Sequence, residues 1–219
     1  FFTATSAIGG TELWSTDGTP GGTAEFIDIQ TGPGSSSPDV LTVVGSALYF
    51  SAFDAAGREP WITDGTLAGT RMVADVVFGG MSSTPVRFTS AAGTVFFAAN
   101  GDGASDLELW RTNGTPATTL RVKDIYLGAT GSSLANFISI GSLLVFSAND
   151  GLNGQEPWVS DGTENGTFML LDGQNGTNTA AIANLRNVNG ILMFSATDGV
   201  NGQELWRSKI APKVFPEAR

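Results

Sequence analysis

With 219 residues, 41% of them hydrophobic and 15% charged, the chain is long and apolar enough to bury a sizeable core, which excludes disorder. A net charge of −10 argues against nucleic acid and anionic membrane surfaces as partners, and no apolar run of about 18 residues is present to span a bilayer. There is no cysteine and no histidine, so disulfides, thiolate metal sites and the commonest general base are all excluded.

The chain opens on FFTATS, then GTELWSTDGTPGGT, then EFIDIQ, and reaches a Gly- and Ser-rich link, TGPGSSSP, at 31–38. The second stretch reads VLTVVG, ALYFSAFD, REPWITDGTLAGT and RMVADVV. The third reads VRFTSAA, TVFFAAN, LELWRTNGTPATT and LRVKDIY. The fourth reads NFISIG, LLVFSAND, QEPWVSDGTENGT and FMLLDGQ, and the fifth NLRNVNG, ILMFSATD and QELWRSKI, before a tail rich in Pro. Each segment is short, rich in β-branched or aromatic residues and bounded by Gly, Asn, Asp or Pro, which predicts strands. No amphipathic stretch of helical period competes.

A fixed rhythm binds these segments together. Trp14, Trp61, Trp110, Trp158 and Trp206 lie 47, 49, 48 and 48 residues apart, and Phe2, Phe50, Phe97, Phe146 and Phe194 keep the same beat. Four strands in roughly 48 residues match one propeller blade. The expectation is therefore an all-β chain, a β-propeller of four-stranded antiparallel blades, about five in number. It forms one domain over 1–219, with units at roughly 1–38, 39–84, 85–133, 134–180 and 181–219. Within a blade, the segment before the Phe run should be innermost, the Phe run second, the Trp strand third and the last strand outermost.

The first unit lacks its inner strand and the last lacks an outer one. A ring closed by the segment 212–216 is one expectation, although its two prolines suit a strand poorly; an open or incomplete ring is the other. Because Phe1 falls inside a repeat without an initiator Met or signal peptide, a longer precursor is expected.

The recurring residues have scaffold and ligand readings. Each indole wedged against a neighbouring blade would bury roughly 150–250 Å², whereas an exposed one could stack on a sugar. Glu12, Glu59, Glu108, Glu156 and Glu204 each stand two residues before a Trp and share its strand face. A half-buried carboxylate there would need donors such as the N–H groups of a Gly-rich turn; the alternative is a ring of acids for acid–base work or cation binding. Asp150, Asn153 and Glu156, and likewise Asp198, Asn201 and Glu204, place oxygen ligands within seven residues, a candidate calcium set although the repeating acidic pattern of dedicated calcium loops is absent. Gly18, Gly65 and Gly162 are expected at positive φ in Asp-Gly-Thr turns. The Asn-Gly-Thr triplets at 113, 165 and 175 match glycosylation acceptors but read better as turns.

The motif E-[LP]-W-x-[ST]-[DN]-G-T, complete in four units, resembles the bacterial ELWxxDGT repeat, and the likeness covers essentially the whole chain. It departs after Trp206, where Arg-Ser-Lys-Ile replaces the turn, and in the third unit, where Asn113 and Thr118 replace Asp and Gly. The resemblance implies a propeller in a large secreted, periplasmic or cell-surface bacterial protein, and no agreed biochemical activity. A looser likeness joins Ala148, Asp150, Gly154 and Trp158, and Ala196, Asp198, Gly202 and Trp206, to the motif that docks a Trp between blades in quinoprotein-type propellers.

Together these features predict a non-catalytic interaction module that holds another protein or sits in a larger envelope or membrane-associated assembly. No cofactor is expected beyond calcium. The alternatives are a lectin-like propeller with shallow carbohydrate sites, and a glycosidase using two of the repeated acids.

Overall fold

The computed structural model describes residues 1–101, 106–173 and 176–210. Five antiparallel sheets follow one another along the chain, and each predicted unit carries one of them. The first holds β1 (Phe2–Ser6), β2 (Gly10–Ser15) and β3 (Ala24–Ile27). The second holds β4 (Asp39–Val44), β5 (Ala47–Asp54), β6 (Gly57–Thr63) and β7 (Arg71–Met72). The third holds β8 (Val86–Ala91), β9 (Thr94–Ala99), β10 (Glu108–Thr112) and β11 (Leu120–Lys123). The fourth holds β12 (Ala135–Ile140), β13 (Leu143–Asn149), β14 (Gln155–Ser160) and β15 (Phe168–Met169), and the fifth β16 (Ala183–Val188), β17 (Ile191–Thr197) and β18 (Gln203–Lys209).

Strands pair in chain order within every sheet, so the expected sequence from inner to outer strand holds. Among the described residues the first sheet has no inner strand and the fifth no outer one. The inner strands β4, β8, β12 and β16 contact one another in succession, which sets the sheets side by side about a common line. No closed ring is seen among the described residues, and the tail segment 212–216 lies outside them.

Register places each Phe opposite its Trp: Phe50 faces Trp61, Phe97 faces Trp110 and Phe194 faces Trp206. Their rings stack at 6.3, 6.5 and 6.4 Å, within the range that favours aromatic pairs. Successive side chains on a strand point to opposite faces, and here both faces are buried. Phe50 and Trp61 pack with Leu13 and Phe26 of the first sheet, while Tyr49 on the other face packs with Phe97 of the third. This explains why the Phe segments read as continuous apolar runs.

Four apolar clusters thus fill the four seams. Leu109 and Val122 meet Phe146 and Trp158 in the third seam, and Val145 and Val159 meet Phe194 and Trp206 in the fourth. Each inner strand opens with a bulge at a left-handed residue: Val40, Arg87, Asn136 and Asn184 have φ of 49°, 63°, 58° and 56°. The bulge bends the strand as it enters the sheet. For Val40, a β-branched residue, that conformation is strained.

Candidate interaction face

The carboxylates before each tryptophan act as clasps. Glu12, Glu59, Glu108 and Glu156 are fully buried, deeper than the half-buried position expected of them. Each lies under the crossover, the long link from the outer strand of one sheet to the inner strand of the next. Glu59 accepts hydrogen bonds from the N–H of Val76 at 2.9 Å, the N–H of Ser83 at 2.9 Å and the Ser83 hydroxyl at 2.7 Å. Glu12 accepts from Ile29 N–H, Ser36 N–H and the Ser36 hydroxyl. Glu108 accepts from Ile125 N–H, Tyr126 N–H and the Ser132 hydroxyl, and Glu156 from Gly173 and Ala180 N–H. Buried polar groups demand such partners.

The crossover residue held by the clasp also bonds forward. Ser36, Ser83, Ser132 and Ala180 accept through their carbonyls from Phe53, Asn100, Asn149 and Thr197 of the following sheet. One buried residue therefore ties each sheet to the next. The donors are amides and serine hydroxyls of the crossovers, with Ser36 of the Gly- and Ser-rich link at 31–38 and Gly173 among them. Glu204 departs from the set: it is exposed, because no crossover follows it among the described residues.

Burial dominates the ionisation of these groups. It raises Glu59 to about 7 against the lowering effect of the Ser83 and Val76 donors, with a smaller push from Asp75. Burial likewise raises Glu108 to about 7, with Asp124 adding to it, and raises Glu156.

Glycine at the start of the Trp strand is the second feature of this end; the E-[LP]-W-x-[ST]-[DN]-G-T motif omits it, and only the looser likeness takes in Gly154 and Gly202. Gly57 has φ +106°, and a Cβ there would lie 2.3 Å from the Met81 carbonyl oxygen; at Gly154 it would lie 2.2 Å from that of Asn178. The hairpin between second and third strands thus lets the crossover pass in direct contact with its backbone. Recurrence of Gly four residues before Trp14, Trp61, Trp158 and Trp206 was the available signal.

The proposed calcium residues come together only in part. Asp150 accepts from Leu152 and Asn153 N–H through Oδ1 and from Asn153 Nδ2 through Oδ2; Asp198 does the same with Val200 and Asn201. These are self-contained turns. Glu156 is spent on the clasp and Glu204 points to solvent, so the two sets do not converge as a shell. Among the described residues no group of three or more Asp and Glu is placed to hold a metal ion.

The Asp-Gly-Thr turns at the opposite end are equally self-contained. Asp64 Oδ1 accepts from the Thr66 N–H and hydroxyl, Thr66 Oγ1 accepts from Gly69 N–H, and Gly65 stands at φ +92°. A Cβ at Gly69 would lie 2.1 Å from Asp64 Oδ1, which explains the second glycine of the motif. In the third unit Thr118 fills that space, its hydroxyl accepts from Asn113 N–H, and the turn tightens into a 3₁₀ turn at Pro116–Thr118. Asn113 and Asn165 sit in these turns, while the triplet at 175 begins outside the described residues.

The tryptophans divide. Trp61 and Trp158 are buried, and Trp110 and Trp206 are half-buried in their seams. Trp14 faces the side of the first sheet that has no neighbour among the described residues. It borders an open groove with Glu25 and Asp28, and Trp110 borders another with Asp75 and Phe78.

What remains at the crossover end is a set of bare apolar tips. In a sheet of consecutive antiparallel strands, the second hairpin and the crossover lie at one end, and the first and third hairpins at the other. Ile8 and Val200 occupy second hairpins, and Phe78 and Leu127 occupy crossovers. At 85%, 84%, 83% and 81% exposed, they are the four most exposed large hydrophobic residues among those described. Leu152, in the second hairpin of the fourth sheet, joins them. At the same end, in second hairpins and at the start of crossovers, stand Asp28, Asp54, Asp75, Asp150, Asp172 and Asp198, all partly exposed. The cations at this end are largely engaged. Arg58 donates to the Ser51 hydroxyl and the Ser37 carbonyl and stacks on Phe53, and Arg121 lies 3.7 Å from Asp106.

No protein-family model matches the chain, and no curated protein does. Among solved structures it is similar to a chain from a structural and mechanistic study of two prolyl endopeptidases, with a TM-score of 0.52 and 14% identity. That match covers 94% of this chain and 32% of the other, so this chain spans about a third of that protein's length. A looser likeness, at a TM-score of 0.42 and 14% identity, is to TolB from Acinetobacter baumannii, covering 86% of this chain and 47% of that one. The first likeness shows the fold alone: an all-β architecture of the propeller type.

Proposed function

We propose that the chain is a non-catalytic β-propeller module of an exported or cell-surface bacterial protein and that its crossover end binds another protein. It is read as one domain of about five blades in an open ring, of the ELWxxDGT kind that its motifs resemble. One observation carries the binding assignment. In the first four sheets the repeated glutamates are spent on clasps and Asp17, Asp64 and Asp161 on their own turns, while the apolar tips at the crossover end are exposed. Exposed apolar groups concentrated at one end are the usual mark of an interaction surface.

The test replaces Ile8, Phe78, Leu127 and Val200 together by Ser and compares capture of the protein that co-purifies from the native source. Val43→Ser with Leu67→Ser, at the opposite end, is the control. Capture should be lost in the first variant and kept in the second, with unfolding midpoints unchanged; capture that survives the first variant overturns the assignment.

A carbohydrate reading has its own support in the two open grooves, where Trp14 lies beside Glu25 and Asp28, and Trp110 beside Asp75. An indole face with a nearby carboxylate suits a sugar ring. A shift in tryptophan fluorescence on sugar addition, abolished by Trp110→Ala, would favour it; a glycan array without hits would remove it.

A further inference from the structure

Resting on the protein-binding reading of the crossover end, we infer that its partner presents a cationic amphipathic segment, with apolar side chains that meet Ile8, Phe78, Leu127, Leu152 and Val200 and Lys or Arg side chains that meet the aspartates of the same end. The apolar tips come one from each of the five units, at second hairpins and crossovers, and so define a broad dotted surface in place of one deep groove. A complementary partner must offer several apolar side chains at intervals along its length.

Charge decides which partner. Asp28, Asp54, Asp75, Asp150, Asp172 and Asp198 lie at this end, against Arg58, Arg87 and Arg121. Arg58 is held by Ser51 and Ser37, and Arg121 lies near Asp106 and Asp124, which leaves Arg87 at the inner edge as the exposed arginine of this end among the described residues. Asp150 and Asp198 are held below the usual carboxylate range, Asp150 against the raising effect of its burial by the amides and side chain of its own turn, Asp198 chiefly by the Asn201 and Val200 amides, so both are ionised at neutral pH. A second copy would bring the same acidic end and a net charge of −10, and like charges brought together oppose association. An anionic lipid surface is disfavoured for the same reason. A segment of opposite charge gains on both counts, since steering brings it in and apolar burial holds it.

The experiment uses the whole chain with two synthetic amphipathic peptides of roughly 18 residues, one of Leu and Lys and one of Leu and Glu, read by fluorescence anisotropy. The Lys peptide should bind at least about tenfold more tightly than the Glu peptide and lose affinity as salt rises. The Ile8→Ser, Phe78→Ser, Leu127→Ser and Val200→Ser variant should weaken it by about tenfold or more, as should Asp54→Asn with Asp198→Asn. The Ser variant should unfold at the unaltered midpoint, and the Asn variant should stay folded under the binding conditions.

Equal binding of the two peptides overturns the inference, and so does Lys-peptide binding that ignores both variants. Self-association abolished by the Ser variant also overturns it, in favour of a second copy. Failure of either peptide to bind, when capture of the native protein still depends on the tips, defeats this inference and leaves the protein-binding reading standing. Native capture that does not depend on the tips removes the protein-binding reading and this inference with it.

Discussion

Glu59 shows how a buried charge can be structural. Its carboxylate accepts from two backbone N–H groups and from the Ser83 hydroxyl, which also reaches the Arg58 carbonyl at 3.3 Å, and each buried N–H left unsatisfied would cost about 1–3 kcal/mol. Glu59→Ala or Glu108→Ala should therefore destabilise the protein by about 3–5 kcal/mol in urea unfolding. Glu204→Ala, at the one exposed copy, should stay within about 0.5 kcal/mol. Equal losses at all of these positions would show that the clasp contributes nothing special.

The same residues predict a pH dependence. Burial raises Glu59 and Glu108 from 4.5 to about 7 in the fold. Between those values the native state keeps protons that the unfolded chain has released, so stability falls as pH rises through that window. The urea midpoint should thus drop from about pH 5 to about pH 8, and Glu59→Gln with Glu108→Gln should flatten the slope. Asp17 and Asp64, lowered by their Thr19 and Thr66 partners, act in the opposite direction and lose their contribution only in more acidic solution. A midpoint that rises steadily toward alkaline pH would contradict the burial of these carboxylates.

At the scale of elements, hairpins and crossovers are built as one unit. Gly57 lets the crossover carbonyl of Met81 pass where a Cβ would stand 2.3 Å away, whereas Gly202, also at positive φ, has no described atom within 4 Å. Gly57→Ala should therefore cost about 2 kcal/mol or more, and Gly202→Ala only the backbone term of about 1 kcal/mol, both read as shifts in unfolding midpoint. The strands themselves were legible in the chain because Phe and Trp recur with the sheet's own period and because turn residues bound every segment. The clasp was only half legible. Recurrence marked the glutamates, but their donors stand 17 and 24 residues away, beyond any local pattern. The third unit's turn looked irregular in sequence, yet Thr118 fills the space that Gly leaves to Asp elsewhere. Asp150 and Asn153 looked like metal ligands because spacing alone cannot show that they bond each other.

Among the described residues the five sheets share four apolar seams, and the first and fifth sheets have one seam each. Leu13 of the first sheet is fully buried against the second, whereas its counterpart Leu205 in the fifth is 73% exposed. Stability in such a stack is a sum of sheet and neighbour terms, so the middle sheets are the rigid part and the outer two the first to open. A rigid stack of this kind holds its loops at fixed spacing, and only one of its two ends concentrates apolar tips among aspartates.

Hydrogen–deuterium exchange of the chain, alone and saturated with its native partner, tests that claim most directly. The account predicts slowed exchange at residues 7–9, 76–82, 125–130, 150–154 and 198–202 and unchanged exchange in the Asp-Gly-Thr turns at 64–70 and 161–167. Protection confined to those turns would contradict it.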